Sequence, residues 1–315
     1  MFNITETRFV KKHDELTQGV STNLVPIILL HRNELENILK TIESIEKGTN
    51  YPFEIMVVDN ASSADILSEL EFELKKKSIK LFKNGFNSWI LGFNIALSYC
   101  EKKYPGFSFY VASDSDIQFP LPSGKVCWLT HLVDLLDKYP FMGKIGLGID
   151  LKNIENRQDL AQTFLNELRF KQKLITPELW HATVDTTAAI YRRDLFVTER
   201  ARFLPGHYSY IKPYYHVGRT RAPYEVVHIG WDNYSLTDSL NKRFIHEKIS
   251  CFTIFAGYID PTQLTLASPY YRYTYLFFRH LFRLIWFGLL LIYWIRYLLQ
   301  NKFIYQNQLF RRNIS

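Results

Sequence analysis

Apolar positions in the first half of the chain follow two rhythms in turn. Leu24–Leu30 (LVPIILL) is an unbroken apolar run of strand length, the pattern of a strand covered on both faces. His31-Arg32-Asn33 ends it, and Leu35, Ile38, Leu39, Ile42 and Ile45 then recur at helical spacing as far as Gly48, a helix-closing residue. Phe53–Val58 (FEIMVV) is a second buried strand, stopping at Asp59-Asn60-Ala61-Ser62-Ser63. A helix carrying Ile66, Leu67, Leu70 and Leu74 follows, and Ile79–Phe82 makes a third, short strand. Asn84-Gly85-Phe86-Asn87 and Gly92-Phe93-Asn94 lead into a helix through Tyr99, and Phe107–Ala112 (FSFYVA) is a fourth strand running straight into Ser113-Asp114-Ser115-Asp116.

Strands alternating with helices predict βαβ units, hence an α/β fold with a mainly parallel sheet flanked by helices. Such sheets bind ligands outside the carboxyl ends of their strands, which is where Asp59, Asp114 and Asp116 fall. Further on, Trp128–Tyr139 reads as a helix, and Ile145–Leu151 and Thr183–Tyr191 read as strands. Residues 155–182 are polar and mixed, a helix and loop suited to shaping an acceptor site. Residues 205–234 are rich in Tyr, His, Pro and Gly and read as irregular. The expected organisation is a polar leader over 1–22, a first α/β half over 23–150, a second half over 151–265 and a helical tail over 266–315.

That tail has its own composition, dense in Tyr, Phe, Leu and Arg. Its apolar run Ile285–Ile295 is shorter than the ~20 residues a helix needs to cross a bilayer. Arg272, Arg279 and Arg283 fall near one helical face, and Trp286, Tyr293, Trp294 and Tyr297 suit a membrane interface. The pattern predicts an amphipathic helix or helix pair lying on an anionic membrane surface. A helix packed on the protein's own core or in a homo-oligomer interface is the alternative. A tilted span over Leu281–Leu299, with Arg283 and Arg296 snorkelling, is a further one.

Charge and cysteine content narrow the picture. The formal net charge of +7 draws anionic partners, whether nucleotide diphosphates, nucleic acid or an acidic membrane. No nucleic-acid-binding motif accompanies it, so nucleic acid is not an expected partner. Three dispersed cysteines with no CxxC pair argue against a zinc site or a disulfide framework and fit a reducing compartment. The N-terminal residues MFNITETRFVKKHDEL lack the apolar stretch of a signal peptide, so the expected location is cytoplasmic, attached peripherally to the membrane.

Two carboxylates one residue apart beyond a buried strand repel each other, and a divalent cation offsets that repulsion. Hard oxygen ligands favour Mn2+ or Mg2+, which also bind diphosphate oxygens. Asp59 at the tip of the second strand can accept hydrogen bonds from a base or ribose, or else cap the next helix in competition with Ser62 and Ser63.

Together, LVPIILLHRNELENILKTIESI, FEIMVVDNASS, NGFNSWILGFNIAL and YVASDSDIQF resemble the nucleotide-binding half of GT-A glycosyltransferases of the family 2 type, in order and in spacing. The resemblance covers residues 22–150, and more loosely extends to about 235. It implies a GT-A (Rossmann-like) fold and a nucleotide-diphosphate sugar donor, of the UDP type. His31 and Arg32 would then line the nucleotide pocket and Asp59 would hold the base or ribose. Asn87, Gly92 and Asn94 would shape the loop over ribose and diphosphate. Asp114, Ser115 and Asp116 would meet the donor, with the two aspartates binding metal. His31-Arg32-Asn33 departs from the usual small-residue/Tyr/Asn ending.

TVDTTAAIYRRDLF resembles the acceptor-side strand of these enzymes, without the Glu-Asp pair many of them use as base. Candidates for the base are Asp185, Glu225 and Asp232, with Asp185 first. His228 resembles the late histidine that completes the metal shell. Trp231 suits stacking on a sugar face, or the core; Arg219 and Arg221 suit pairing with diphosphate, or a solvated loop. The expected activity is metal-assisted inverting transfer of a sugar to a hydroxyl of a cell-surface glycan or lipid-linked saccharide. The alternatives are a retaining enzyme and a non-catalytic nucleotide or glycan binder at the membrane. A sugar-phosphate nucleotidyltransferase would want a Gly-rich loop after the first strand, and HRNELEN has no glycine.

Overall fold

The computed structural model describes residues 24–104, 107–122, 124, 126–193, 216–232, 242–259 and 261–299. The leader over 1–22, much of the irregular 205–234 segment, and residues 300–315 lie outside the described residues, as do the side chains of Tyr293, Trp294, Arg296 and Tyr297.

The four expected strands are β1 (Val25–His31), β2 (Phe53–Asp59), β3 (Lys80–Lys83) and β4 (Phe109–Asp114), joined in parallel in the order β3-β2-β1-β4. Pro26 is tolerated in the central strand β1 because pairing with β4 begins only at Ile27. Beyond β4 the sheet continues through β10 (Ala189–Arg192), β6 (Met142–Gly146), β11 (His216–Thr220), β9 (Leu179–His181) and β8 (Leu174–Thr176). Only β10 and β9 run against the others, so the sheet is mixed but mainly parallel.

Helices cover both faces. Ile27 and Leu29 of β1 enter one apolar cluster with Ile38, Ile42 and Ile45 of α1 (Leu35–Gly48), Leu70 and Leu74 of α2 (Ala64–Lys76), and Leu129 and Leu132 of α4 (Trp128–Lys138). Ile28, one residue out of phase, enters the opposite cluster with Phe93, Ala96, Leu97 and Cys100 of α3 (Phe93–Lys103). The period-two alternation of a strand thus divides one apolar run between two cores.

A second sheet of three short strands orders β5 (Ile117–Gln118), β12 (Glu225–His228) and β7 (Gly148–Ile149). The strand expected over Ile145–Leu151 is therefore split: β6 stops at Gly146, and β7 leaves for the other sheet. The strand expected over Thr183–Tyr191 begins only at Ala189. Before it, Asp185 folds back to accept the Thr187 amide (2.9 Å), and Ala188 sits in the left-handed region (φ 44°). The mixed 155–182 segment is α5 (Ala161–Phe170) followed by the β8–β9 hairpin.

Three helices complete the described chain: α6 (Lys242–Ile254), α7 (Pro261–Leu266) and α8 (Pro269–Leu299). Ile245 and Ile249 of α6 share a small core of their own with Ile259, Ala267 and Tyr275.

Candidate active site

The register of β1 decides the site. His31 lies opposite Asp59 on one side, and Leu30 lies opposite Asp114 on the other. The two acidic strand tips therefore flank one strand at neighbouring levels, separated by two inter-strand spacings, about 10 Å of backbone.

Asp59 is fully buried and accepts hydrogen bonds from the Ser62 amide (3.0 Å) and hydroxyl (2.5 Å), so it fixes the turn into α2. His31 beside it is 1% exposed, and neither ring nitrogen has a hydrogen-bond partner. Burial, partly opposed by the Asp59 carboxylate, lowers its pKa to about 4, so the ring is neutral and offers one donor and one acceptor. Arg32 forms an ion pair with Glu247 of α6 (2.7 Å).

Asn87 lies in a loop held by a residue the sequence did not single out. Asn60 donates to Asn87 Oδ1 and to the Trp89 carbonyl (both 3.1 Å) and accepts from Asn84 Nδ2 (3.0 Å) and the Ser88 amide (3.2 Å). Gly92 is required by close approach: a Cβ there would sit 2.8 Å from Asn60 Oδ1 and 2.9 Å from Leu30 Cδ1. Asn94 follows in the first turn of α3.

The acidic triplet is anchored to α1. Thr41 donates to the Ser115 carbonyl (2.8 Å) and accepts the Ile117 amide (3.1 Å), and Ser44 accepts the Phe119 amide (2.9 Å). These pairings account for polar side chains on the buried face of α1. Asp116 is carried onward to β12: its carbonyl accepts the Ile229 amide (2.9 Å), and its carboxylate lies 3.4 Å from His228 Nδ1. The His228 ring stacks on Trp231 at 4.4 Å, nearly parallel. A Cβ on Gly230 would fall 1.9 Å from Asp116 Oδ2, so only glycine leaves room for this carboxylate.

Asp114 turns its two oxygens to the hydroxyls of Thr186 (3.0 Å) and Thr187 (3.2 Å). The same turn carries Asp185, whose Oδ1 accepts the Thr187 amide and Arg219 Nη2 (3.2 Å); neither bond uses Oδ2. Asp185 is 53% exposed and Arg219 5%, so the carboxylate is open to solvent while its counter-ion is buried.

Electrostatics binds these groups into one site. Burial first, then repulsion from Asp116 and Asp185, pushes Asp114 up to about 7. Burial first, then Glu34, does the same to Asp116. Burial also pushes Asp185 upward, but Arg219 and the Thr187 amide outweigh it, and its pKa lies below the usual value. His228 is lowered, chiefly by burial. Glu34, exposed at the start of α1, joins the field of Asp116 and His228; no periodicity marks it in sequence.

This donor set of two repelling carboxylates and one neutral imidazole fits a hard divalent cation. It is not drawn together as a ready cage: no three His, Cys, Asp or Glu side chains among the described residues converge on one point, and both oxygens of Asp114 are engaged by the two threonines. The other two base candidates lie apart from this turn. Glu225 pairs with Lys171 (2.7 Å), and Asp232 accepts Asn153 Nδ2 (3.1 Å). Arg219 is committed to Asp185 and the Leu147 carbonyl (2.9 Å), and Arg221 to the Pro177 carbonyl (2.9 Å).

The chain is similar in structure to the mannosyltransferase PcManGT from Pyrobaculum calidifontis in complex with GDP-Man and Mn2+, at 17% identity and a TM-score of 0.46, covering 80% of this chain and 72% of that one. It is similar to TarS of S. aureus at 16% identity and a TM-score of 0.44, covering 80% of this chain but only 52% of that one. For GalNAc-T7 with UDP, GalNAc and Mn2+ the identity is 13%, the TM-score 0.44, and the coverage 74% of this chain and 50% of that one. Among curated proteins none matches. The sequence model of one family, glycosyl transferase family 2, matches residues 27–198, more than half of the chain. The chain therefore belongs to glycosyl transferase family 2.

Proposed function

We propose that this glycosyltransferase moves a sugar from a nucleotide-diphosphate donor of the UDP type to a hydroxyl acceptor, with inversion at the anomeric carbon. The observation that carries this reading is that Asp114 and Asp116, at and just past the carboxyl end of β4, share one electrostatic field with Asp185, across the His31 end of β1 from Asp59. His31 and Asp59 hold the base or ribose, and the loop pinned by Asn60 covers the ribose and diphosphate. Asp114 and Asp116, with His228, would hold Mn2+ or Mg2+. Such a cation, when bound, neutralises the departing diphosphate. Asp185 takes the proton of the acceptor hydroxyl through Oδ2, with Arg219 holding the other oxygen in place. Trp231, already stacked on His228, offers a flat face beside the site for a sugar ring.

The acceptor in this reading is a cell-surface glycan or lipid-linked saccharide, met at the cytoplasmic face of a membrane. Support comes from α8. Its 31 residues contain no Asp or Glu, and Phe277, Leu284 and Phe287 are exposed by 73%, 70% and 66%. No described helix is long and apolar enough to cross a membrane, so the surface mode is the one proposed.

A thermal-shift screen of UDP- and GDP-sugars with and without Mn2+ tests the donor reading. A UDP-sugar that stabilises the protein only with Mn2+ is the expected result, and no response to any nucleotide would sink it. NMR of the product's anomeric linkage then decides inversion.

A further inference from the structure

We propose that Lys144 and Tyr191 are positioning residues for the acceptor-side carboxylate, acting on the main chain of Asp185 from beneath the sheet. The inference rests on Asp185 being the base.

Lys144 stands in the middle of β6 and is 0% exposed, a position at which a strand ordinarily carries an apolar residue. Tyr191 is its direct cross-strand partner on β10 and is equally buried. The two side chains share one face of the sheet and converge on one atom. Lys144 Nζ donates to the Asp185 carbonyl at 3.3 Å, and the Tyr191 hydroxyl donates to it at 3.1 Å. Tyr191 is braced in turn: its ring stacks on Tyr110 (5.1 Å, 4° between planes) and lies 5.0 Å from the Lys144 ammonium.

A buried ammonium is costly unless its partners need it. Burial indeed lowers the Lys144 pKa to about 7, with Arg219 adding to the shift and Asp185 opposing it. What its partners need follows from the turn above. Ala188 is held in the left-handed region, which a side chain rarely adopts, by its amide on Ser113 Oγ (3.1 Å) and its carbonyl on the Leu147 amide (3.0 Å). Arg219 and the Thr187 amide fix Asp185 Oδ1. The carbonyl of Asp185 is the remaining hinge of this strained turn, and two donors from below lock it. Backbone strain held by surrounding bonds is a means of preorganising a reactive group.

The test uses the full chain with Mn2+ and the UDP-sugar selected by thermal shift. Tyr191→Phe and Lys144→Met remove one donor each with little change of shape. Each is expected to lower kcat for UDP release at least tenfold while leaving KM for the UDP-sugar and calorimetric binding of UDP within twofold. In an Asp185→Asn background, Tyr191→Phe should cause no further loss, because a positioning residue has nothing left to position. A full additional loss in that background overturns the proposal, as does unchanged kcat in Tyr191→Phe. If Lys144→Met fails to fold, Tyr191→Phe alone decides. Failure of the wild type to bind UDP would instead sink the donor reading, and full turnover by Asp185→Asn would remove both the base and this proposal.

Discussion

Gly230 has no catalytic group, yet the site depends on it. A methyl at its Cα would come within 1.9 Å of Asp116 Oδ2. Gly230→Ala must rotate Asp116 away from His228 or push the Ile229–Trp231 turn outward. Turnover should drop more than tenfold and the response to Mn2+ should be lost, with the melting midpoint changed by only a few degrees; unchanged Mn2+ binding would show that Asp116 is not a ligand. The carboxylates themselves set a pH dependence. Asp114 and Asp116 have folded pKa values raised to about 7, against about 3.9 for an unfolded Asp. Between those values the native state binds more protons than the unfolded one, so stability falls as pH rises and the full penalty is in place above pH 7. In chelator, the wild-type midpoint should fall from pH 5 to pH 8 relative to that of Asp114→Asn/Asp116→Asn, since His31, His228 and Lys144, whose lowered pKa values act in the opposite direction, are common to both proteins, and Mn2+ should raise the wild-type midpoint most at pH 8. Parallel pH profiles in the two proteins would assign the slope to other groups. Asp59, Asp114 and Asp116 could be picked from sequence because each ends an apolar run, and strand tips are where α/β sheets place ligands. Gly230, Asn60 and Glu34 could not: each acts through a contact with a segment distant in the chain, and none stands out in the local pattern.

At the scale of elements, the parallel half of the sheet was legible because β1, β2 and β4 are buried on both faces and leave continuous apolar runs. The second half of the sheet was less so. Its strands are three to five residues long, and hydrogen bonds that periodicity does not encode decide where they begin. The Asp185–Thr187 turn shows this: its apolar and threonine content reads as strand, but Asp114, Ser113, Lys144 and Arg219 together hold it as a loop. The loop over residues 84–92 depends likewise on Asn60. Asn60→Ala removes four hydrogen bonds and leaves partly buried groups unpaired, a cost of about 1–3 kcal/mol. Nucleotide affinity should weaken several-fold and amide exchange over 84–92 should quicken, with the core strands unaffected. Equal exchange in mutant and wild type would show that the loop is held by other contacts.

The whole molecule joins the tip of β1 and the 84–92 loop to the C-terminal helices. Arg32 pairs with Glu247, Trp89 packs edge-on against Phe252 at 5.2 Å, and Cys251 Sγ lies 3.7 Å from the Asn87 carbonyl, so α6 sits against the loop expected to cover the donor. Among the described side chains, the hydrogen bonds and ring contacts of α8 with α6 and the turn after it end at Trp286. Tyr275 is buried with its hydroxyl bonded to the Gly257 carbonyl (3.0 Å), and Trp286 Nε1 reaches the Ile254 carbonyl (2.6 Å). Past Trp286, Phe287, Leu289, Leu291, Ile292 and Ile295 are all exposed. The place to cut is therefore after Trp286 and not at residue 269, where removal of Tyr275 would unpack α6 and disturb the nucleotide side. A chain ending at Trp286 should keep its UDP and Mn2+ response and bind vesicles containing anionic lipid more weakly, because the exposed Phe287, Leu289, Leu291, Ile292 and Ile295 are gone while Arg272, Arg279 and Arg283 remain. The intact chain should bind such vesicles more tightly than zwitterionic ones, because α8 carries Arg272, Arg279 and Arg283 and no acid. Vesicle binding as tight after the cut as before it would move the apolar contact off this stretch. A mass in solution that falls from dimer to monomer on truncation, with no vesicle binding before it, would make the exposed stretch an interface between copies of the chain.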